Sequence, residues 1–384
     1  MQSWPRMDWS LNTPLIFIIS ITSVNFSLYD VIWKGYKGVI SWGDGTISDY
    51  TDTALAAFTV THVYPEIGKY TVAIQFSNDC PSYDATKTLF PPSSEGMFQG
   101  IGSQLISVIT PFPSVYNTMT SAERMFYGCT NLTAVNEDLF VNTLSISNLY
   151  NCFVNCSSLR AIPGGLFKNL TRVTNIIGMF QYCTALTSIP DGLLSDIPGG
   201  SSAEFLFYHC SSLSSIPEDL FFNLVNTGDF RDCFYGCSSL TSIPDRLFEK
   251  NTRAYSFVEC FYGCSRVLEL PSTLLRNTKA RWLRRCFANC RSLTEIPSDL
   301  FEGLSEITTF EGCFYGCSRV ETVPLALFSD CPNVTTFKQC FCYDSGITSY
   351  VPALWNLYPN ATGTQCFTGC TNAANYADIP SGWK

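Results

Sequence analysis

One phrase, rewritten ten times, constrains this chain more than its composition does. Its clearest copy is Cys233-Phe-Tyr-Gly-Cys-Ser-Ser-Leu-Thr-Ser-Ile-Pro244. Aligned on the Phe, the copies place Phe126, Phe153, Phe180, Phe207, Phe234, Phe261, Phe287, Phe314, Phe341 and Phe367 in one slot. The steps between them are 27, 27, 27, 27, 27, 26, 27, 27 and 26 residues. A period that strict predicts a solenoid, in which no unit buries its apolar face alone and each stacks on its neighbours. A scaffold of this kind points to a surface for binding or display. The repeat itself does not name what is bound.

The cysteines look at first like the chemistry. The chain has 19 of them, which raises disulfides or zinc. The residue before the anchor Phe is Cys at 152, 233, 260, 286, 313, 340 and 366, but Met125, Met179 and Leu206 take the same slot elsewhere. A position that accepts Met or Leu is an apolar core slot, where Cys serves as a small buried hydrophobe. Three residues after the Phe stands a second Cys, with Asp344 as the exception. Zinc would need four converging ligands, and the only histidines are His62 and His209. Stacked reduced thiols are therefore expected ahead of disulfides or metal. An odd total also suits a reducing compartment.

Other slots have their own logic. Gly128, Asn155, Gly236, Gly263, Asn289, Gly316 and Gly369 precede the second Cys, and Gly and Asn tolerate a left-handed backbone. Cys-Phe-Tyr-Gly-Cys is thus expected to be a short helical turn with a C-cap. The Leu-x-x-Ile pairs, such as Leu240 and Ile243, predict a brief strand ended by Pro244 and its equivalents. Phe230, Phe257, Phe310 and Phe337 predict a second inward ladder. This pattern resembles the leucine-rich repeat family of BspA-like surface proteins, whose units read close to Phe-x-x-Cys-x-x-Leu-x-x-Ile-x-x-Pro. The resemblance covers roughly residues 97–384. Asn136, Tyr343-Asp344 and Ala374 to Ala377 depart from it, and Trp383 is expected to lie over the open end.

The first quarter of the chain reads differently. Leu15 to Ile21 is apolar, of leader-peptide length and too short to span a membrane. It alternates into Ser20, Thr22, Asn25 and Ser27, so a strand running from Ile16 to Phe26 is expected and no leader is expected to be removed. Gly38 to Trp42, Phe58 to Tyr64 and Lys69 to Phe76 predict further strands around a Gly43-Asp-Gly-Thr46 turn. Trp42-Gly-Asp-Gly45, His62-x-Tyr64 and Gly68-x-Tyr70-x-Val72 together resemble the PKD-like sandwich family, which implies a spacer or adhesion module without catalysis. Asp44 and His62 could form an acid–base pair, but setting the turn and plugging the sandwich is the preferred role. Ahead of this region, Trp4 and Trp9 sit in a Pro-flanked segment and form a candidate anchor, docking on their own domain or on a partner.

The fold expected is mainly β with short helical turns. It divides into an N-terminal anchor segment (1–14), a small PKD/Ig-like β-sandwich (15–92) and a leucine-rich-repeat solenoid of about ten units (93–384). A net charge of −9 argues against nucleic-acid binding. No nucleophile elbow, phosphate loop or metal constellation is visible, so a non-enzymatic protein with no cofactor is expected. Lys279, Arg281, Trp282, Arg284 and Arg285, with Arg266 and Arg319, form a basic cluster in an acidic chain and are the candidate partner contact. A ladder of Thr133, Thr187, Ser214, Thr241 and Thr294 could bind sugars or be a solvated face. The tyrosines 127, 208, 235, 262 and 315 are expected to pack half-buried between units. The reading favoured is a phage virion component, binding other virion or surface proteins through its N-terminal region and a host protein or glycan through the solenoid. A bacterial cell-surface adhesin is the alternative, and a homo-oligomer is open to either.

Overall fold

β1 (Leu15–Ile21) alternates strictly between buried and half-buried residues, with Leu15, Phe17, Ile19 and Ile21 inward. In this computed structural model residues 14–29, 37–51, 59–76, 96–117, 119–200 and 202–384 are described. Trp4, Trp9, Cys80 and residues 91–95 lie outside them. The remaining strands are β2 (Asn25–Tyr29), β3 (Lys37–Ser41), β4 (Ile47–Thr51), β5 (Thr59–Val63), β6 (Gly68–Phe76), β7 (Leu105–Val108) and β8 (Ala134–Val135). One sheet runs β4-β3-β6-β1-β7-β8 and a two-stranded sheet holds β2 and β5.

The run expected as one strand from Ile16 to Phe26 is therefore two strands in different sheets. The inward residues explain the break: Leu15 to Ile21 face the core at odd positions, whereas Phe26 and Leu28 do so at even ones. A change of phase means the chain must turn over, and it does so at Thr22 to Val24. Phe26 then meets Trp42 and Tyr64 edge-on between the two sheets.

The larger sheet does not stop at the repeats. β7 pairs antiparallel with β1 and parallel with β8, so the edge of β1 is covered by the strand that leads into the repeats. Phe17 packs edge-on against Phe98 at 5.7 Å. From Phe98 a column of rings continues through every anchor Phe to Phe367. Its centroid spacings run from 4.8 to 5.9 Å and successive planes lie within 4 to 17°. Phe230 on Phe257 and Phe310 on Phe337 form a second stack. Leu-Phe pairs supply a third, seen in Phe221 on Phe248 and Phe301 on Phe328.

The backbone of the anchor segment is not the helical turn with a single cap that the Gly and Asn slot suggests. Phe230, Asp232, Phe234 and Gly236 donate their N–H groups to Ser256, Val258, Cys260 and Tyr262 of the next unit, at 2.7–2.9 Å. Cys233, Tyr235 and Cys237 bond three residues back within their own unit. A helix would spend every N–H along its own axis; this ribbon spends every second one between units. It does so by placing two left-handed residues per unit. One is the expected slot, from Gly128 to Gly369. The other lies two residues before each anchor and includes Arg124, Asn151, Phe205, Asp232, Glu259, Arg285, Gln339 and Gln365, with φ of 51–57°.

The Leu-x-x-Ile segment is likewise less than a strand. Only Ala134–Val135 is assigned as one; beyond it, single bonds such as Thr241 N–H to Ser214 O join the units. Pro244 and its equivalents open the following turn, their carbonyls accepting the N–H three residues on. Among the described residues helices are few: α1 (Leu354–Leu357) and four single 3-10 turns. None of the helices in the described residues is long and apolar enough to cross a membrane.

Candidate recognition surface

Among the described residues the repeat slots are occupied by buried side chains, which leaves the outer columns to offer chemistry to a partner. The 18 cysteines among the described residues are all free and buried. Those of the second slot do more than fill space. The Cys156, Cys183, Cys210, Cys237, Cys264 and Cys317 thiols each donate to the anchor Phe carbonyl of the preceding unit at 3.1–3.3 Å. Burial pushes the Cys233, Cys260 and Cys286 thiols well above their ordinary range, which removes the thiolate needed for reactivity or metal binding. Among the described residues no three His, Cys, Asp or Glu side chains are grouped to hold a metal.

Asp44 and His62 are joined at 2.7 Å. The other Asp44 oxygen accepts the Thr46 N–H and hydroxyl at 2.9 and 2.6 Å. Burial opposes ionisation of Asp44, but the bonds from Thr46 and His62 outweigh it and hold the carboxyl below its usual value. His62 stacks flat on Trp42 at 4.7 Å and meets Tyr64 edge-on, and the Tyr64 hydroxyl donates to the Trp42 carbonyl. The pair is built into the turn, with its hydrogen-bonding capacity spent locally.

The hydroxyl ladder is spent in the same way. Thr133, Thr187, Ser214, Thr241 and Thr294 donate to the carbonyl of the preceding unit at 3.1–3.4 Å. Each oxygen keeps lone pairs but no proton to offer a ligand. The tyrosine slot is packing: Tyr208, Tyr235 and Tyr262 stack at 4.8 and 4.5 Å, half-buried. Tyr315 of the same slot instead meets Tyr343, which stands one position later in its own unit, edge-on.

The basic cluster is gathered but paired. Lys279 and Arg281 both reach Glu306, at 3.7 and 2.9 Å, and Arg284 reaches Glu259 at 3.1 Å. Arg285 takes the left-handed slot with φ 51° and lies over Gly312, where a Cβ would stand 2.9 Å from its Cγ. Trp282 is 41% exposed and meets Tyr255, 37% exposed, edge-on at 5.4 Å and 86°. Arg266 and Arg319 are exposed on a different column, five residues after their anchors. Among the described residues no hydrogen bond or ion pair joins them to the 279–285 segment.

Two adjacent columns show why Trp282 and Tyr255 stand out. Five residues before each anchor, Ser121, Asn148, Asn175, Ser202, Asp229, Thr309 and Thr336 accept the N–H two residues on, at 2.9–3.2 Å. Trp282 holds this slot and has no acceptor to give. One residue earlier, Ser147, Thr174, Thr308 and Thr335 donate to the preceding unit, but the intervening column reads Gly228, Tyr255, Arg281. A Cβ on Gly228 would fall 2.6 Å from the Tyr255 ring, so the absent side chain seats the tyrosine. Reading the cluster as charge alone misses Tyr255, Gly228, Glu259 and Glu306. Comparing these two columns unit by unit in the sequence would have exposed the first two.

No protein-family model and no curated protein matches the chain. Among solved structures, a leucine-rich cell surface protein from Faecalibacterium prausnitzii is 18% identical with a TM-score of 0.35, over 73% of this chain and 80% of that one. A leucine-rich repeat protein from Bacteroides ovatus is 17% identical, TM-score 0.27, over 66% and 69%. A chain of the Toll–Spatzle complex of Drosophila is 16% identical, TM-score 0.24, over 65% and 33%. At these scores the likeness does not reach detailed geometry.

Proposed function

We propose that this chain is a non-enzymatic recognition protein. In this reading a PKD-like sandwich over residues 15–92 seats a BspA-like leucine-rich solenoid of about ten units over 93–384. The observation that carries it is the contrast between a regular, largely apolar interior and the interrupted outer columns around residues 255–285. A solenoid whose slots are filled has little room for a catalytic pocket, and residues that leave the repeat pattern are free to serve contact. The proposed contact surface comprises Lys279, Arg281, Trp282, Arg284 and Arg285, with Arg266 and Arg319 as outlying members.

Display on a bacterial cell surface is put forward here. One bacterial neighbour is titled a cell surface protein and none of the neighbours named above is titled a virion component. The virion expected from the sequence draws on reduced cysteines, the segment with Trp4 and Trp9, and the reading of the run after it as a strand in place of a leader. Immunogold labelling of cells and of purified particles separates the two, since labelled envelopes support surface display and arrayed particles replace it. The recognition role itself is tested by binding of the purified chain to intact cells. Charge reversal of Arg281, Arg284 and Arg285 should weaken that binding; unchanged binding would remove these residues from the contact.

A further inference from the structure

Resting on that recognition role, the geometry points to a neutral carbohydrate as the ligand of the Tyr255–Trp282 corner. The two rings stand nearly perpendicular, 86° apart, and both are more than a third exposed. Aromatic faces carry negative potential and attract the weakly positive C–H groups of a sugar ring, while the rings add buried area at small entropic cost.

The surroundings favour hydroxyls over charge. Arg281 and Lys279 share the single Glu306 carboxylate, and Arg284 is held by Glu259, so the cations beside the corner are partly compensated. An anionic ligand would have to compete with these carboxylates. Paired guanidinium and carboxylate groups still offer both donors and acceptors at the rim, which suits a polyhydroxylated neutral molecule. The next unit adds Thr308, whose proton is committed to a backbone carbonyl but whose lone pairs remain open to sugar hydroxyls. A protein partner would want a wider apolar field around the rings, and the flanking columns are hydroxyl-bearing instead.

The corner is also costly to the scaffold. Trp282 has no acceptor for the turn that Asp229 and Thr309 close in their units, and in the unit before it Ser256, buried in the same slot, leaves its hydroxyl without a hydrogen-bond partner. Side chains that leave a local rule without a packing gain are expected at functional positions.

The test is calorimetric titration of the full chain with cellohexaose, N-acetylchitohexaose and mannohexaose, and with a heparin hexasaccharide as the anionic comparison. Binding of a neutral hexasaccharide that weakens at least about tenfold in Trp282→Ser and Tyr255→Ala is expected. Trp282→Ser should melt close to the parent, because the slot takes Ser at 121, 202 and 256; lost binding then cannot be lost folding. Preference for heparin, no neutral sugar bound, or binding indifferent to both substitutions overturns the proposal. Cell binding by the chain distinguishes this from failure of the wider role. Sensitivity to periodate together with dependence on Trp282 supports a glycan. Binding abolished by protease but resistant to periodate leaves recognition standing and overturns the carbohydrate. Absence of any cell binding overturns both.

Discussion

Asp344 occupies the slot where nine units place a thiol. It is fully buried and neither oxygen has a hydrogen-bond partner of good geometry. Burial pushes its carboxyl well above the ordinary range, with the backbone amides of Cys317 and Gly316 opposing the shift. Kept neutral, it carries one O–H, as the thiols carry one S–H. The unfolded chain ionises first, near 3.8, so the stability tied to this group falls as pH rises above that value. Asp344→Cys is therefore expected to stabilise by about 1–3 kcal/mol at pH 8, and by less at pH 4. Denaturant unfolding at both pH values checks it, and an equal gain at the two would show that protonation is not involved. The thiols give a second residue-scale prediction. Iodoacetamide should leave the 18 described cysteines unmodified in the native chain and label them once guanidinium unfolds it; peptide mapping reads the difference.

At the scale of the repeat element, the left-handed position two residues before each anchor carries strain, because a non-glycine residue there costs roughly 1–2 kcal/mol. Asp232 adds an electrostatic cost. Burial, then Glu259 in the same slot one unit on, raise its carboxyl to about 7, with Arg231 and Arg284 opposing. The unfolded value is near 3.8, so this contribution is intact below 3.8 and is lost as pH climbs to about 7. Asp232→Asn should flatten that part of the pH–stability curve, and Asp232→Gly should also raise stability at pH 8 by about 1 kcal/mol. Thermal melts from pH 4 to 8 decide; an unchanged slope in Asp232→Asn would place the titration elsewhere. This element also shows what the sequence could carry. The anchor Phe, both Cys slots and the Gly/Asn slot were legible because their chemistry is restricted. The second left-handed slot was not, since Arg, Phe, Glu and Gln there are imposed by hydrogen bonds to the next unit and not by local preference. The aromatic corner was half legible: Trp282 stood out by charge neighbours, while Tyr255 is significant only beside Gly228, a relation between units.

At the scale of the whole chain, the two ends of the ring column are closed by different means. At the N-terminal end β1 pairs with both β6 and β7, and at the C-terminal end the last turn stands where the next unit does elsewhere. The Phe367 N–H, which in other units would reach the next Cys carbonyl, donates to the Trp383 carbonyl at 2.8 Å. The Trp383 ring lies on Gly363 so closely that a Cβ there would stand 2.0 Å away, and Lys384 sits over the Tyr376 ring. Stability in a repeat array is mostly a sum of nearest-neighbour contacts, so removing residues 376–384 should be felt locally. Hydrogen exchange at the amides of Phe367 and Phe341 is expected to accelerate strongly, whereas Phe207, bonded to the Cys233 carbonyl at 2.9 Å, should keep its protection. Equal loss at all three would mean that the array unfolds as one unit and that the cap stabilises the whole column.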